Sequence, residues 1–477
     1  YRPGGEGLYA VLLSRMPYGN EMMRPMLSQF MDPVRAAQAG YVVIMQDCRG
    51  RFASEGEFGW TPQEGPDGFD TVEWAAALPY SSGGVGMWGL SYLGLVQWKA
   101  AELHPPHLRA LAPTAAPTSG PNGLFHRVGV LELPTVVWLQ IGFGLETAAR
   151  RLRDAGTPAP EILRSMRATG EAIEDLHRRD LAELPLGHLA SLESVGQAEC
   201  LAPFFALGAG TAEDAVDFSQ IEVPALLTCG WYDGALPQCL LSFAAVKDLG
   251  RGPARRPHLL IGPWIHGHMG VGWSTVLGEM EFGMAASSSS IDFATDYTQL
   301  HLDWFNHWLK GVDNGVDRRP PVQIFAMGEN RWRTLPDWPA PGLQESPWFL
   351  QPGGRLGPAA PADATSTSYV YDPANPAPSL GGAGGTVGRH GLGVRDQSSL
   401  SARPDVLTYT SAPLGEPLSI AGPVSAKLWA ASAAPDTDYV VRLNDIGPSG
   451  FMHNLCDGIV RARYRNSLSE PEWLKPG

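Results

Sequence analysis

Three side chains with the chemistry of a nucleophile, a carboxylate and a base stand at the ends of short apolar segments. Ser91 follows GVGMWGL, Asp233 ends LLTCGWYD and His266 ends LLIGPWIH. A serine hydroxyl becomes a nucleophile when an imidazole takes its proton and a carboxylate orients that imidazole. If the three segments are neighbouring parallel strands, their ends meet at one edge of the sheet. The pattern therefore predicts acyl-transfer chemistry at that edge, with Ser91 as the nucleophile.

Ser91 is predicted to lie on a tight turn between a strand and a helix. Gly89 precedes it by two residues, but the position two residues after it, where such turns usually carry glycine, holds Leu93, and the glycine is Gly94. Small residues relieve crowding at a turn of this kind. From this stretch alone, an ordinary serine in a glycine-rich loop stays open as an alternative.

Asp233 and His266 each have a simpler interpretation as loop residues. Asp followed by Gly, as in Asp233–Gly234, is a common turn pair, and a histidine in a loop needs no further role. His268 is a second candidate base, and spacing alone does not separate it from His266. The chain order Ser, Asp, His, with each residue at a strand end, nevertheless favours an α/β-hydrolase arrangement over three unrelated loop residues.

Two tyrosines are candidates for an oxyanion hole, which needs two hydrogen-bond donors. The backbone N–H of Tyr92 follows the serine at the start of a helix, where N–H groups lack partners within the helix. Tyr18, in SRMPYGN, follows the first strand and is predicted at the same sheet edge, where its phenol would be the second donor. A tyrosine packed against a loop is the alternative, and position does not decide between the two.

Strand and helix patterns alternate in two parts of the chain, 1–118 and 215–317. Compact apolar runs such as LYAVLLSR and YVVIMQD alternate with amphipathic segments, among them residues 67–80 and the aromatic segment 297–311, which glycine ends. This alternation predicts an α/β fold with a parallel sheet covered on both faces.

The other two parts of the chain have different patterns. Residues 119–214 lack strand alternation and are predicted to form a helical insertion. Residues 318–477 carry short alternating strands and many turns, as in VLTYTSAPL and PLSIAGPVSAKLWAAS, and predict a β-sandwich.

Composition excludes several classes of function. The 477 residues allow two or three domains, and 44% hydrophobic against 18% charged residues is typical of a globular protein. A net charge of −14 without a basic stripe argues against nucleic acid as a partner. No apolar run reaches the about 18–20 residues that span a bilayer, and the five scattered cysteines lack the spacing of a zinc site or a disulfide framework. We expect free, mostly buried thiols, no metal, no cofactor, no membrane partner and a cytoplasmic location, with secretion left open.

Six motifs, in a fixed order, resemble the bacterial cocaine esterase group, which is related to X-prolyl dipeptidyl-peptidases and α-amino-acid ester hydrolases. They are RMPYGN, QDCRGRFASEGEF, EGPDGFDTVEW, GLSYLG, GWYDG and GPWIHG, and the resemblance runs over the whole chain. The serine motif of that family is itself G-x-S-Y-x-G, which accounts for the late glycine. The resemblance implies a role for each candidate residue: Ser91 as nucleophile, His266 as base, Asp233 as its partner, and Tyr18 with the Tyr92 N–H as the oxyanion hole.

The family architecture is an α/β-hydrolase domain with a helical insertion and a C-terminal jelly roll, which matches the divisions above. Members usually begin a strand or two earlier and continue past PEWLKPG, so the sandwich over 318–477 is either cut short or completed in a different way, and both alternatives stay open. In QDCRGRFASEGEF the resemblance implies a structural loop in which Asp47 and Arg49 pair. His301 and His307 lie six residues apart, off a common helix face, and are predicted to be core or surface residues rather than metal ligands.

The loop after Asp233 indicates the type of substrate. Residues 234–237, GALP, supply no second carboxylate for a substrate ammonium, which favours a small-molecule ester with a neutral, apolar acyl group. Phe125 and Trp138 are candidate pocket walls, although large apolar residues are more often core. An α-amino-acid ester hydrolase or X-Pro peptidase, and a degenerate hydrolase that serves as a binding module, remain alternatives. The oligomeric state, a homodimer included, is left open.

Overall fold

A computed structural model defines the fold. It describes residues 1–59, 61–118, 126–133, 135, 143–178, 215–268, 275–363, 365–384 and 391–475. Within these ranges, no helix has both the length and the apolar character needed to cross a bilayer.

The strands are, in chain order, β1 (Tyr9–Met16), β2 (Tyr41–Asp47), β3 (Ser81–Leu90), β4 (Leu108–Thr114), β5 (His126–Arg127), β6 (Val130–Leu131), β7 (Leu226–Tyr232), β8 (His258–Ile265), β9 (Val276–Leu277), β10 (Met280–Glu281), β11 (Val322–Ala326), β12 (Arg331–Leu335), β13 (Phe349–Gln351), β14 (Arg355–Gly357), β15 (Asp438–Ile446) and β16 (Met452–Arg461). The helices are α1 (Asn20–Leu27), α2 (Pro33–Gln38), α3 (Thr61–Ala76), α4 (Tyr92–Ala101), α5 (Leu145–Asp154), α6 (Ala159–Arg178), α7 (Leu236–Leu249), α8 (Tyr297–Lys310) and α9 (Ser398–Ser401).

Eight strands of the described residues form one sheet in the order β12-β11-β8-β7-β4-β3-β1-β2. Neighbouring strands are parallel except β11 and β12, which form an antiparallel pair at one edge. Strand β1 lies between β3 and β2, and seven of its eight residues are buried, as expected for a strand covered on both faces. The predicted parallel α/β sheet is therefore confirmed.

Helices cover the sheet in packed groups, with α3 against α4 and α2 against α8. Helix α8 begins and ends at residues whose types are typical of helix termini. The Asp296 side chain accepts from the Gln299 N–H at 2.8 Å at its start, and Gly311, with φ of 67°, ends it. The helix ends one residue before the glycine that the sequence marked as its stop.

Two boundaries and the content of the insertion differ from the sequence prediction. Helix α3 begins at Thr61, six residues before the predicted start at residue 67. Strands β11 and β12 lie beyond residue 318, in the part expected to be sandwich, yet they extend the main sheet because β11 pairs with β8. The described part of the insertion contains the short pair β5–β6 in addition to α5 and α6.

The C-terminal part consists of antiparallel pairs, β13 with β14 and β15 with β16. It contacts the main sheet near the end of β7, where the Tyr232 hydroxyl donates to the carbonyl of Asn454 at 3.0 Å and lies 2.7 Å from His453 Nε2. A separate link joins the C-terminal part to the insertion, because Arg127 of β5 donates to the carbonyl of Ala383. The C-terminal part is thus joined to the strand whose end carries Asp233.

Candidate active site

Ser91 lies on a sharp turn between β3 and α4. Its backbone has φ of 61° and ψ of −122°, a conformation that residues other than glycine rarely adopt. The Ser91 N–H is held by the carbonyl of Thr114 at 2.8 Å, at the end of the neighbouring strand β4. Strained backbone of this kind concentrates at functional sites, and here it presents the hydroxyl at the carboxyl edge of the sheet.

The two glycines around Ser91 are required by close packing. Gly89 has φ of 146°, and a Cβ there would lie 2.5 Å from the Cβ of Leu93. A Cβ at Gly94 would lie 2.6 Å from the Cβ of Ala116. Helix α4 therefore packs tightly against the residues that follow β4 at Gly94, one residue later than the usual elbow pattern places its glycine. This contact is the physical reason for the spacing in GLSYLG.

His266 lies between Ser91 and Asp233. Its Nε2 is 3.0 Å from the Ser91 Oγ, and its Nδ1 is 2.9 Å from one carboxylate oxygen of Asp233 and 3.1 Å from the other. The backbone N–H of Ala235 donates to Asp233 Oδ1 at 2.8 Å, which fixes the carboxylate. His266, rather than His268, occupies the position between the other two side chains.

Electrostatics prepare His266 to hold a proton. Burial by itself lowers its pKa, but the charge of Asp233 and the hydrogen bond to it raise the pKa, and the net shift is upward. Asp233 is 2% exposed, so its charge acts through little solvent. A carboxylate in this position favours the tautomer with hydrogen on Nδ1 and leaves Nε2 free to accept from the serine.

Both predicted oxyanion donors lie beside Ser91. The Tyr18 hydroxyl makes a hydrogen bond with the Ser91 side chain, and burial raises the pKa of Tyr18, with the bond to Ser91 lowering it less. Tyr18 thus stays a neutral donor at any ordinary pH. Tyr92 is the first residue of α4, so its N–H points from a helix start.

The side chain of Tyr92 leads to a buried network that the sequence did not reveal. Its hydroxyl donates to Glu64 at 3.1 Å, and Glu64 forms an ion pair with Arg15 at 2.8 Å. Both charged residues are at most 2% exposed. The thiol of Cys48 donates to the same carboxylate at 3.6 Å. The only signal for this network was the position of Glu64 in the motif EGPDGFDTVEW.

The motif QDCRGRFASEGEF forms a loop, but its predicted internal pair is wrong. Arg49 pairs with Asp67 of α3, and Asp47 accepts from the N–H and the side-chain amide of Asn20, at 2.7 and 2.9 Å. Asp47 turns towards the loop that follows Tyr18, because the unpaired N–H groups at the start of α1 attract a carboxylate. The charged residues of the motif thus contact other segments instead of each other.

The candidate pocket residues Phe125 and Trp138 lie outside the described residues. An aromatic cluster that the sequence did not predict lies next to the serine. Phe143 packs on the rings of Tyr18, Phe58 and Tyr92, with centroids 5.3, 5.4 and 6.0 Å away. The cluster joins four segments that are far apart in sequence, which explains why no local pattern indicated it.

The other residues considered for chemistry have structural contacts of their own. His301 is buried, with its Nδ1 2.8 Å from the carbonyl of Tyr297, and His307 Nδ1 lies 3.1 Å from the carbonyl of Val312. Among the described residues, no group of three or more His, Cys, Asp or Glu could hold a metal ion. The thiols at 48, 229 and 239 are free and buried, and that at 456 is free and exposed.

The parallel sheet, the strained turn and the Ser–His–Asp arrangement define an α/β-hydrolase of the serine hydrolase class. The sequence model for the X-Pro dipeptidyl-peptidase (S15 family) matches residues 1–268, and that for the X-Pro dipeptidyl-peptidase C-terminal non-catalytic domain matches residues 314–477. The chain belongs to the X-Pro dipeptidyl-peptidase (S15) family.

Individual relatives agree with this family. Cocaine esterase of Rhodococcus sp. (strain MB1 Bresler) is 33% identical over 505 residues, covering 100% of this chain and 82% of the relative. The solved structure of an α-amino acid ester hydrolase has a TM-score of 0.76 at 24% identity and covers 100% of this chain and 81% of its own. A CocE/NonD family hydrolase from Staphylococcus aureus has a TM-score of 0.56 at 17% identity, covering 99% and 75%. The resemblance drawn from the six motifs is thereby confirmed.

Proposed function

We propose that this serine hydrolase cleaves small-molecule carboxylic esters with a neutral, apolar acyl group, through an acyl-enzyme on Ser91. The observation that carries the proposal is the continuous contact from Asp233 through His266 to the Ser91 hydroxyl, with 2.9 and 3.0 Å between the bonded atoms. These distances lie within the range needed for proton transfer between a nucleophile and its base.

In the first half-reaction, the Ser91 Oγ attacks the ester carbonyl carbon while His266 Nε2 takes its proton. The carbonyl oxygen becomes an oxyanion that accepts from the Tyr92 N–H and the Tyr18 hydroxyl. Asp233 stabilises the imidazolium formed at His266. The imidazolium then gives its proton to the departing alcohol oxygen as the bond from carbon to that oxygen breaks, which leaves the acyl group on Ser91.

In the second half-reaction, water attacks the acyl carbon and His266 takes one of its protons. The oxyanion forms again between the same two donors. It collapses by breaking the bond to Ser91, and His266 returns the proton to the serine oxygen. The products are the free acid and an enzyme ready for another substrate.

The surroundings of the site support a neutral, apolar acyl group. The aromatic cluster of Phe143, Phe58 and Tyr92 provides an apolar wall beside the serine. In the part of the chain that the structure describes, the carboxylates behind this wall are already neutralised, Glu64 by Arg15 and Glu146 by Arg51. Neither is available to hold a substrate ammonium. The relative with 33% identity is called a cocaine esterase, which agrees with an ester substrate.

A comparison of substrates tests the proposal. We expect hydrolysis of p-nitrophenyl butyrate, and a loss of at least about 10⁴-fold in kcat for Ser91→Ala, because no other group supplies the nucleophile. Ser449→Ala, on the exposed turn between β15 and β16, is the matched control and should keep the wild-type rate. Equal rates for wild type and Ser91→Ala would reject the proposal.

The same assay separates the related activities. An α-amino-acid ester hydrolase would prefer the ester of a free-amine acid over p-nitrophenyl butyrate, and an X-Pro peptidase would cleave Gly-Pro-p-nitroanilide. We expect the neutral ester to have the highest kcat/KM of the three substrates, since an ammonium would be desolvated without a partner. A preference for either amine would assign the alternative activity.

A further inference from the structure

The loop that carries Tyr18 is held at three successive points by the segment 47–52. Arg51 Nε donates to the carbonyl of Pro17 at 2.8 Å. The Phe52 ring packs so closely on Gly19 that a Cβ there would lie 2.8 Å from it. Asn20 is held by the carboxylate of Asp47. The segment 47–52 therefore contacts the chain immediately before and after Tyr18.

Arg51 is the charged member of this segment that lies deepest. It is 0% exposed, and its guanidinium lies 5.2 Å from the ring centres of both Phe58 and Phe143. A buried guanidinium is costly unless its charge and its N–H groups are paired. An apolar side chain would fill the space between the two rings without that cost. The burial of Arg51 is therefore best understood from the groups that pair with its guanidinium.

Those partners lie at the start of the insertion helix α5. Arg51 Nη1 donates to the Phe143 carbonyl at 3.2 Å and to Thr147 Oγ1 at 2.9 Å, and it lies 3.2 Å from the carboxylate of Glu146. One guanidinium thus connects the peptide before Tyr18 with the first turn of the insertion. Its planar set of donors suits two acceptors in different directions, which a lysine ammonium would not match.

A second arginine strengthens the connection from the other side. Arg150 of α5 donates to the carbonyls of Phe52 and Ser54, at 2.7 and 2.9 Å. Segment 47–52 and helix α5 therefore exchange arginine contacts in both directions. A shift of α5 would pull on Arg51, and through Arg51 on the peptide that carries Tyr18.

We propose that Arg51 is a positioning residue that fixes the Tyr18 hydroxyl in the oxyanion hole and links its placement to the insertion helix α5. This inference rests on the proposed function, because it gives Tyr18 the role of an oxyanion donor. Arg51 does not touch the reacting atoms and acts through the carbonyl of Pro17. Its effect belongs to the transition state, where the oxyanion forms, rather than to binding of the ester.

The test compares Arg51→Met with Arg49→Met, a change of the same type two residues away at an exposed arginine. Each is assayed for kcat and KM on p-nitrophenyl butyrate and for inhibition by phenylboronic acid, which forms a tetrahedral adduct with an active-site serine. For Arg51→Met we expect kcat and the affinity for the boronate each to fall roughly tenfold to a hundredfold. KM should stay within about twofold of the wild-type value. These are the effects expected when an oxyanion donor is displaced by a fraction of an ångström. Arg49→Met should leave all three values near wild type.

A double variant shows whether Arg51 acts through Tyr18. In the Tyr18→Phe background, which has no hydroxyl to position, Arg51→Met should reduce kcat by less than about threefold, because the two effects share one path. Full additivity would overturn the inference. Arg51→Lys keeps the charge beside Glu146, so it should fold like wild type and lose part of the wild-type kcat. If Arg51→Met does not fold, Arg51→Lys replaces it in the same comparison.

The outcomes separate this inference from the proposed function. If wild type hydrolyses neutral esters and Arg51→Met and Arg51→Lys match Arg49→Met in kcat, the inference is wrong and the proposed function stands. A loss that appears only in KM also contradicts it. If wild type hydrolyses none of the substrates, the proposed function fails and the inference fails with it.

Discussion

The main sheet and the C-terminal hairpin β15–β16 bury their residues very differently. In β1 seven of eight residues are buried, whereas none of the nine residues of β15 is. Apolar side chains of the C-terminal part face solvent, with Trp429 91% and Val440 58% exposed. The sheet is continuous and parallel, and the hairpin is an isolated pair.

The difference shows which region can hold reacting groups in place. Ser91, Asp233 and His266 all follow strands of the buried sheet, where packing fixes each backbone and little water weakens their electrostatic contacts. Within the described residues, the hairpin contacts the sheet through the Tyr232 hydroxyl at the end of β7, one residue before Asp233. We therefore expect changes at the sheet edge to alter the chemistry, and changes at the hairpin contact to alter mainly stability.

The largest of the following effects is expected for Asp233→Asn, at the sheet edge. The amide keeps the size of the side chain but no longer stabilises the imidazolium or the required tautomer of His266, so kcat should fall by about 10³–10⁴-fold. Circular dichroism of the folded variant controls for misfolding. A loss below tenfold would contradict the role of Asp233.

The pH profile of the same variant gives a second measurement. Imidazolium cannot accept the serine proton, so kcat/KM of wild type should fall as pH drops through the pKa of His266, which is raised above its usual 6.5. Removing the carboxylate removes the causes that raise this pKa and leaves burial, which lowers it. The acid limb of Asp233→Asn should therefore lie at lower pH than that of wild type; a limb at the same or a higher pH would be inconsistent with this assignment.

A smaller loss is expected for Tyr18→Phe, which removes one oxyanion donor and leaves the ring in place. We expect kcat to fall by about 10²-fold with little change in KM. Tyr41→Phe is the matched control: it is another buried tyrosine of the sheet region, and its hydroxyl donates to Asn306 at 2.8 Å, away from the site. If both variants lose the same activity, a general packing effect explains the result better than an oxyanion hole.

The smallest effect on rate is expected for Tyr232→Phe, at the contact with the hairpin. Loss of the hydroxyl leaves the buried Asn454 carbonyl and His453 without this partner, which should lower the free energy of unfolding by about 1–3 kcal/mol in urea denaturation. We expect kcat/KM to change by less than about tenfold, since no bond to a reacting atom is lost. A loss of rate as large as that of Asp233→Asn would show that the hairpin helps to position Asp233. The proposed division, with chemistry at the sheet edge and stability at the hairpin contact, would then be wrong.

The sequence predicted the parts of the site that depend on local pattern. The sequence predicted that Ser91, Asp233 and His266 lie together, because parallel strands end at a common edge and apolar runs followed by polar residues indicate that edge. The buried contacts of Arg51 and Glu64 were not predicted, although both residues lie in motifs quoted above. Glu64 accepts from Tyr92, 28 residues away, and Arg51 donates to Thr147, 96 residues away, and nothing in a local pattern specifies such contacts.

The C-terminal part was the harder one to predict. Segments VLTYTSAPL and PLSIAGPVSAKLWAAS alternate like strands, but the structure of residues 405–434 is irregular apart from a single bridge at Thr410. Alternation records a preference for the extended conformation, whereas a strand also needs a neighbour that accepts its hydrogen bonds. In the main sheet each strand pairs with such a neighbour, whereas the described residues do not supply one for these segments.

The most direct test of the account is covalent labelling of the serine. Incubation with a fluorophosphonate, followed by proteolysis and mass spectrometry, should place one adduct on the peptide that contains Ser91. Ser91→Ala should remove the adduct, and His266→Ala should slow its formation by at least about 10³-fold, because the hydroxyl then lacks its base. An unlabelled wild type, or a label on another residue that persists in Ser91→Ala, would contradict the assignment of Ser91 as the acylated nucleophile.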